Sequence, residues 1–120
     1  MLPDPAQLAA AQLRAYNAHD LDAFCACYDP EVRVLEADGR ESLRGMEAFR
    51  ARYAALFQGW EEVGAEVDQR IVAPPHAIDD ERWWRSRPAT GERRSGRVLV
   101  RYTVGALGIH TVQFFPVEPS

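Results

Sequence analysis

The sequence has no lysine: all 14 of its basic residues are arginine. Schiff-base lysines, P-loop lysines and Ser–Lys nucleophiles are therefore excluded. Serine is scarce too, with four residues and none set in a G-x-S-x-G elbow. The two cysteines, Cys25 and Cys27, lie two apart in a helical pattern, so their side chains diverge and cannot bridge each other. They read as packing thiols. No uncharged apolar run approaches the ~20 residues that span a bilayer, and the opening Met-Leu-Pro-Asp-Pro lacks the basic-then-apolar pattern of a secretion signal. The expectation is a soluble, cytoplasmic protein with no membrane partner.

What is present is one domain's worth of chain. At 120 residues and 47% hydrophobic content, folding can hide roughly two thirds of the extended surface around a single core. No repeat, low-complexity tract or long linker divides it. Net charge is −4, unevenly spread: residues 1–81 hold 16 acids and 7 Arg, whereas residues 82–101 hold 7 Arg against Glu92 alone. An acidic body with one basic segment argues against nucleic-acid binding, which needs a broad basic surface. Those arginines read as a solvated hairpin pairing with acidic surface, from which Arg82 or Arg85 could reach an acidic ligand through a guanidinium fork.

The apolar spacing changes along the chain. From Pro5 to about Asn17, Leu8, Ala9, Gln12, Leu13 and Tyr16 share one helical face, which puts a glutamine inside an apolar stripe. Asp20 is a natural N-cap for a second helix carrying Leu21, Phe24, Cys25 and Tyr28, stopped by Asp29-Pro30. Val32, Val34 and Glu36 then alternate as a short strand, with Glu36 on the valine face. A third helix is expected from about Met46 to Phe57. After Trp60 the period is two, over about Val63–Ala73, Ala77–Arg87, Gly96–Gly105 and Gly108–Phe115. Helices first and turn-separated strands afterwards predict an α+β fold, a strongly curved antiparallel meander closed into a cone by three helices. Small-molecule sites tend to lie in the mouth of such a cone.

Tyr16-Asn17-Ala18-His19-Asp20-Leu21-Asp22-Ala23-Phe24, Cys27-Tyr28-Asp29-Pro30-Glu31-Val32, Arg44-Gly45-Met46-Glu47-Ala48 and the closing Gly108-Ile109-His110 resemble the nuclear transport factor 2-like superfamily. Within it, the chain is similar to SnoaL-like and ketosteroid isomerase-like proteins across almost its whole length. The resemblance implies a carboxylate base late in the first strand, at Glu36. It places Gln12 where those isomerases have a tyrosine and Val100 where they have a second, protonated acid, which valine cannot replace as a donor. It also implies homodimerisation through the outer face of the sheet. The superfamily hosts isomerases, dehydratases, cyclases and members without chemistry, so it points to fold before function.

The candidate catalytic residues are Glu36, as a carboxylate on an apolar face, and His110 and Gln12 as donors to a developing oxyanion. Each also has a bland reading, as a solvated strand end, a core histidine and a glutamine bonded to a neighbouring carbonyl. Tyr16, Phe24, Tyr28, Tyr53, Phe57, Trp60, Trp83, Val100, Tyr102, Val112 and Phe114 are the candidate lining of a pocket for an apolar molecule. Trp83 and Trp84 are adjacent in a strand, so one enters the cone and the other faces outward. His76 and Asp79-Asp80-Glu81 do not read as a metal site, because consecutive strand residues diverge. The expected function is a small-molecule pocket protein, one form of which is a cofactor-independent isomerase, dehydratase or cyclase using a carboxylate base on a carbonyl-type substrate. The alternatives are a noncatalytic ligand-binding dimer and a protein-interaction module.

Overall fold

The computed structural model describes residues 1–119. Helices α1 (Pro5–Asn17) and α2 (Leu21–Cys25) precede strands β1 (Tyr28–Leu35) and β2 (Glu41–Arg44), and helix α3 (Met46–Gly59) precedes strands β3 (Glu62–Ala73), β4 (His76–Arg87), β5 (Glu92–Gly105) and β6 (Gly108–Val117). One curved, unclosed sheet runs in the order β2-β1-β6-β5-β4-β3. The expected α+β cone is thus present, with one refinement. β3 to β6 form the antiparallel meander, but β1 joins β6 in parallel, so the sheet is mixed.

Local chemistry sets the helix ends. Asp4 caps α1 by accepting from the Ala6 N–H (2.9 Å), with Pro5 at the first helical position, and Asp20 caps α2 by accepting from the Ala23 N–H (3.0 Å). Between them, Asn17 accepts from the Ala65 N–H (2.8 Å) and donates to its carbonyl (3.0 Å), while His19 Nε2 accepts from the Val63 N–H (3.2 Å). β3 is an edge strand, so these side chains satisfy backbone groups that the sheet leaves open and fasten the helical hairpin to it. α2 is shorter than its apolar spacing predicts: Tyr28 already belongs to β1.

The core lies between the helices and the inner sheet face. Phe24 and Phe49 are almost fully buried, with ring centroids 5.7 Å apart, and Tyr53 packs 4.6 Å from Phe24 and 4.8 Å from Phe49. Phe57 stacks on His19 at 5.1 Å. Ala77, Val100, Ile109 and Val112 supply the sheet side.

One register shift alters the expected alternation of a candidate residue. The β1–β2 pairing skips Ser42, an extra residue on β2, while β1 itself pairs without a break from Arg33 to Leu35 and ends there, with Val34 and Leu35 both buried. In β6, Thr111 pairs with Thr103 and Ile109 with Val104, which leaves His110 as an extra residue in a bulge. Ile109, not His110, therefore shares the inner face with Val112 and Phe114.

Candidate functional site

The inner face of β4, β5 and β6, roofed by α1 and α3, encloses a cavity of about 770 Å³. Buried Gln12, Tyr28 and Tyr102 make its floor, and Tyr16, Phe24, Tyr53, Trp83, Val98, Val112 and Phe114 its walls. Exposed Arg52, Ala55, Ser95 and Pro116 mark the mouth. Eight of the expected lining residues are here: Tyr16, Phe24, Tyr28, Tyr53, Trp83, Tyr102, Val112 and Phe114. Phe57, Trp60 and Val100 are not in the lining. Phe57 packs behind Tyr16, Val100 is fully buried in the core, and Trp60 lies beneath arginines, with the Arg87 guanidinium 3.7 Å from its ring centre.

Facing glycines settle the tryptophan pair. A Cβ on Gly96 would come within 2.8 Å of the Trp83 indole, and one on Gly64 within 2.4 Å of the Trp84 indole. Each ring lies flat across a bare backbone on the neighbouring strand. Trp83 faces the cavity and Trp84 the outer sheet surface, where it is 41% exposed.

The three expected catalytic residues are not brought together. Glu36 follows the last residue of β1 and sits in a turn, where its N–H donates to the Arg40 carbonyl (2.8 Å) and its own carbonyl accepts from Gln113 Nε2 (3.0 Å). It does not line the cavity. His110 is turned out by the bulge, and its Nδ1 lies 3.0 Å from Thr111 Oγ1. Gln12 does reach the cavity but is already engaged. Its Nε2 donates to the Ala9 carbonyl (3.0 Å) and to Tyr102 Oη (2.9 Å), and its Oε1 accepts from the Tyr28 hydroxyl (3.0 Å). Its role here is to aim two phenols; Tyr102 accepts from it and so keeps its own proton to donate.

The cavity's carboxyl group is Glu81, on β4. Residues two apart in a strand share a face, so Ala77, Asp79, Glu81, Trp83 and Arg85 all point inward. Asp79 is fully buried and held by Arg70 through two hydrogen bonds, at 2.6 and 3.0 Å. Glu81 has no hydrogen-bond or ion-pair partner among the described residues. Burial first, and the Asp79 charge second, push its pKa up to about 7. Desolvation also raises the phenols, Tyr16 to about 12 and Tyr28, Tyr53 and Tyr102 well above their usual range, with the charge of Glu81 adding to each. They stay protonated. The sequence signal for Glu81 was available, because placing Trp83 inside carries Glu81 and Arg85 inside with it.

The model of the SnoaL-like domain matches residues 9–108. The chain belongs to the SnoaL-like domain family. No curated protein matches the sequence. Among solved structures, a cystatin-fold protein from Novosphingobium aromaticivorans superposes with a TM-score of 0.84 at 21% identity, over 94% of this chain and 98% of that one. A protein of ketosteroid isomerase-like fold from Catenulispora acidiphila, in complex with trimethylamine, gives 0.76 at 13% identity, over 91% and 84%. TerC, co-crystallised with polyporic acid, gives 0.76 at 9%, over 94% and 91%. These likenesses establish the fold. Among the described residues no group of His, Cys, Asp and Glu side chains could hold a metal ion, and no helix is long and apolar enough to cross a membrane.

Proposed function

We propose that this SnoaL-like chain binds a compact, largely apolar small molecule in the cavity and moves a proton on it with Glu81. The observation that carries the reading is an unpartnered carboxyl with a pKa of about 7 facing an aromatic-walled hollow of about 770 Å³. That volume falls within the range of small-molecule sites, and related folds hold such molecules, as TerC does polyporic acid.

The chemistry follows from the protonation states. Near neutral pH a useful fraction of Glu81 is ionised, and it can take a proton from carbon next to a carbonyl. The enolate oxygen then accepts from the Tyr102 hydroxyl, which Gln12 holds in place, and Glu81 returns the proton to the same carbon or to another. A base matched to working pH contributes roughly 10²- to 10⁴-fold, and preorganised donors add to that. The base thus comes from β4, not from the end of β1. In this reading the apolar ligand needs no cofactor.

The test uses 2-tetralone, an aromatic ketone with acidic α-hydrogens, in D₂O. Proton NMR should show exchange accelerated by the wild-type protein, reduced at least 100-fold by Glu81→Gln and unchanged by Glu36→Gln. Exchange no faster than in buffer would refute the proton-transfer reading. A saturable effect of 2-tetralone on the cavity resonances would then favour the noncatalytic binding alternative.

We also propose a homodimer through the outer sheet face. In support, this face exposes Trp84 (41%) and Ile71 (57%) beside partly buried Ile78, Leu99 and Phe115.

A further inference from the structure

Among the described residues, five of the seven arginines from Arg82 to Arg101 have a side-chain partner, Arg101 through Gln113, and exposed Arg93 and half-buried Arg85 have none. Arg82 grips Asp68 through 2.8 and 2.7 Å bonds, Arg97 grips Asp80 through two bonds of 2.8 Å, and Arg87 and Arg94 share Glu92. Arg85 has neither a hydrogen bond nor an ion pair among the described residues, and its Nε is buried without a partner. It points inward, lines the cavity, and its guanidinium carbon sits 4.7 Å over the Trp83 ring and 5.8 Å from that of Trp60. Two indoles therefore hold a charged fork in place without consuming its donors, which arginine's flat face permits.

A buried cationic donor left empty is costly, and such groups normally have a partner. Arg52, which comes from α3 to the same mouth, also lacks an ion pair among the described residues. Among the described residues the one carboxylate in the lining is Glu81, four residues from Arg85 on the strand, so that their backbones are about 13 Å apart along its axis. The two side chains form no hydrogen bond or ion pair, and Trp83 lies between them on the same face of the strand. The cavity is thus polarised, with a cation toward one end, a proton-transferring acid toward the other and an indole wall between.

We infer that the molecule this cavity accepts is a planar aromatic monoanion, its carboxylate or equivalent oxyanion seated on the Arg85 fork and its ring lying along Trp83. The inference rests on the proposal that the cavity binds a small molecule, and it specifies the chemical class. Seated this way, the ligand would present its opposite edge, a ring or so away, to Glu81 and Tyr102. The anion would be recognised against the field of a body with net charge −4, so a preference for anions has to be local to Arg85.

Two probes that differ only in a sulfonate separate the two levels: 8-anilinonaphthalene-1-sulfonate and neutral N-phenyl-1-naphthylamine, titrated by fluorescence. The wild-type protein should bind the sulfonate at least 10-fold tighter, as expected for charge-assisted hydrogen bonds. Arg85→Gln should weaken the sulfonate at least 10-fold and leave the neutral probe within twofold, while Arg93→Gln, on the exposed hairpin, should change neither. Equal affinity for both probes, or an Arg85→Gln protein that keeps its preference, overturns the anion inference and leaves the binding proposal standing. Binding of neither probe overturns both. If Arg85→Gln fails to fold, Arg85→Lys replaces it, keeping the charge without the fork. It should weaken the sulfonate about threefold and spare the neutral probe, and equal effects on the two probes overturn the inference.

Discussion

Glu81→Gln isolates the energetic cost of keeping a carboxyl group in the cavity. Its ordinary pKa of 4.5 is raised to about 7, mainly because burial penalises the charged form. That gap corresponds to roughly 3 kcal/mol in favour of the folded state when the group is neutral. The sign follows from the direction: the folded protein holds the proton more tightly than the unfolded chain. The favourable contribution is therefore fully present below pH 4.5 and is lost as pH rises through about 7. Glutamine copies the neutral acid in shape and cannot ionise, so the variant keeps this contribution at every pH. Urea unfolding of both proteins from pH 5 to pH 9 should show the variant more stable by slightly less than about 1 kcal/mol at pH 5, a gap that widens to about 3 kcal/mol at pH 9. Carboxylates held low by arginines, among them Asp68, Asp80 and Glu92, lose stability only at lower pH and are common to both proteins, so they cancel. A stability difference that stays constant across the whole range would refute the claim that Glu81 is desolvated.

Asp79→Asn should cost about 3 kcal/mol in the same assay, because it removes the charge that Arg70 grips at a fully buried site. Carbon-detected NMR of Glu81 in that variant should show a modest fall in its pKa, since Asp79 is the smaller of its two causes; no change would mean the two carboxyl groups do not sense each other. Trp84→Glu should convert a dimer into a monomer by light scattering without altering probe binding in the cavity, as this indole lies on the opposite face of the sheet. A wild-type protein that is monomeric at tens of micromolar would sink the dimer proposal.

Local rules in the chain were enough for much of the architecture. Asp4 and Asp20 cap the first two helices, the stripe from Met46 to Phe57 forms the third, and the period of two after Trp60 gives the meander strands. Each of these depends on neighbours within a few residues. The alternation of Ala77, Asp79, Glu81, Trp83 and Arg85 also fixed that these five share a face, though which face is the inner one depends on what packs there. Only the tertiary structure decided where the carboxyl group in the cavity comes from. The bulge at His110 arises from pairing between β5 and β6, so a reading that counts by twos along one strand carries His110 to the wrong side, and β1 ends at Leu35, which leaves Glu36 in the turn beyond it. The parallel contact of β1 with β6 joins segments some 80 residues apart and leaves no local trace. Arg85 makes the same point for charge. The sequence left a surface ion pair and an acidic ligand both open for it, and its partner is decided by which acids the fold brings within reach; among the described residues the fold brings none.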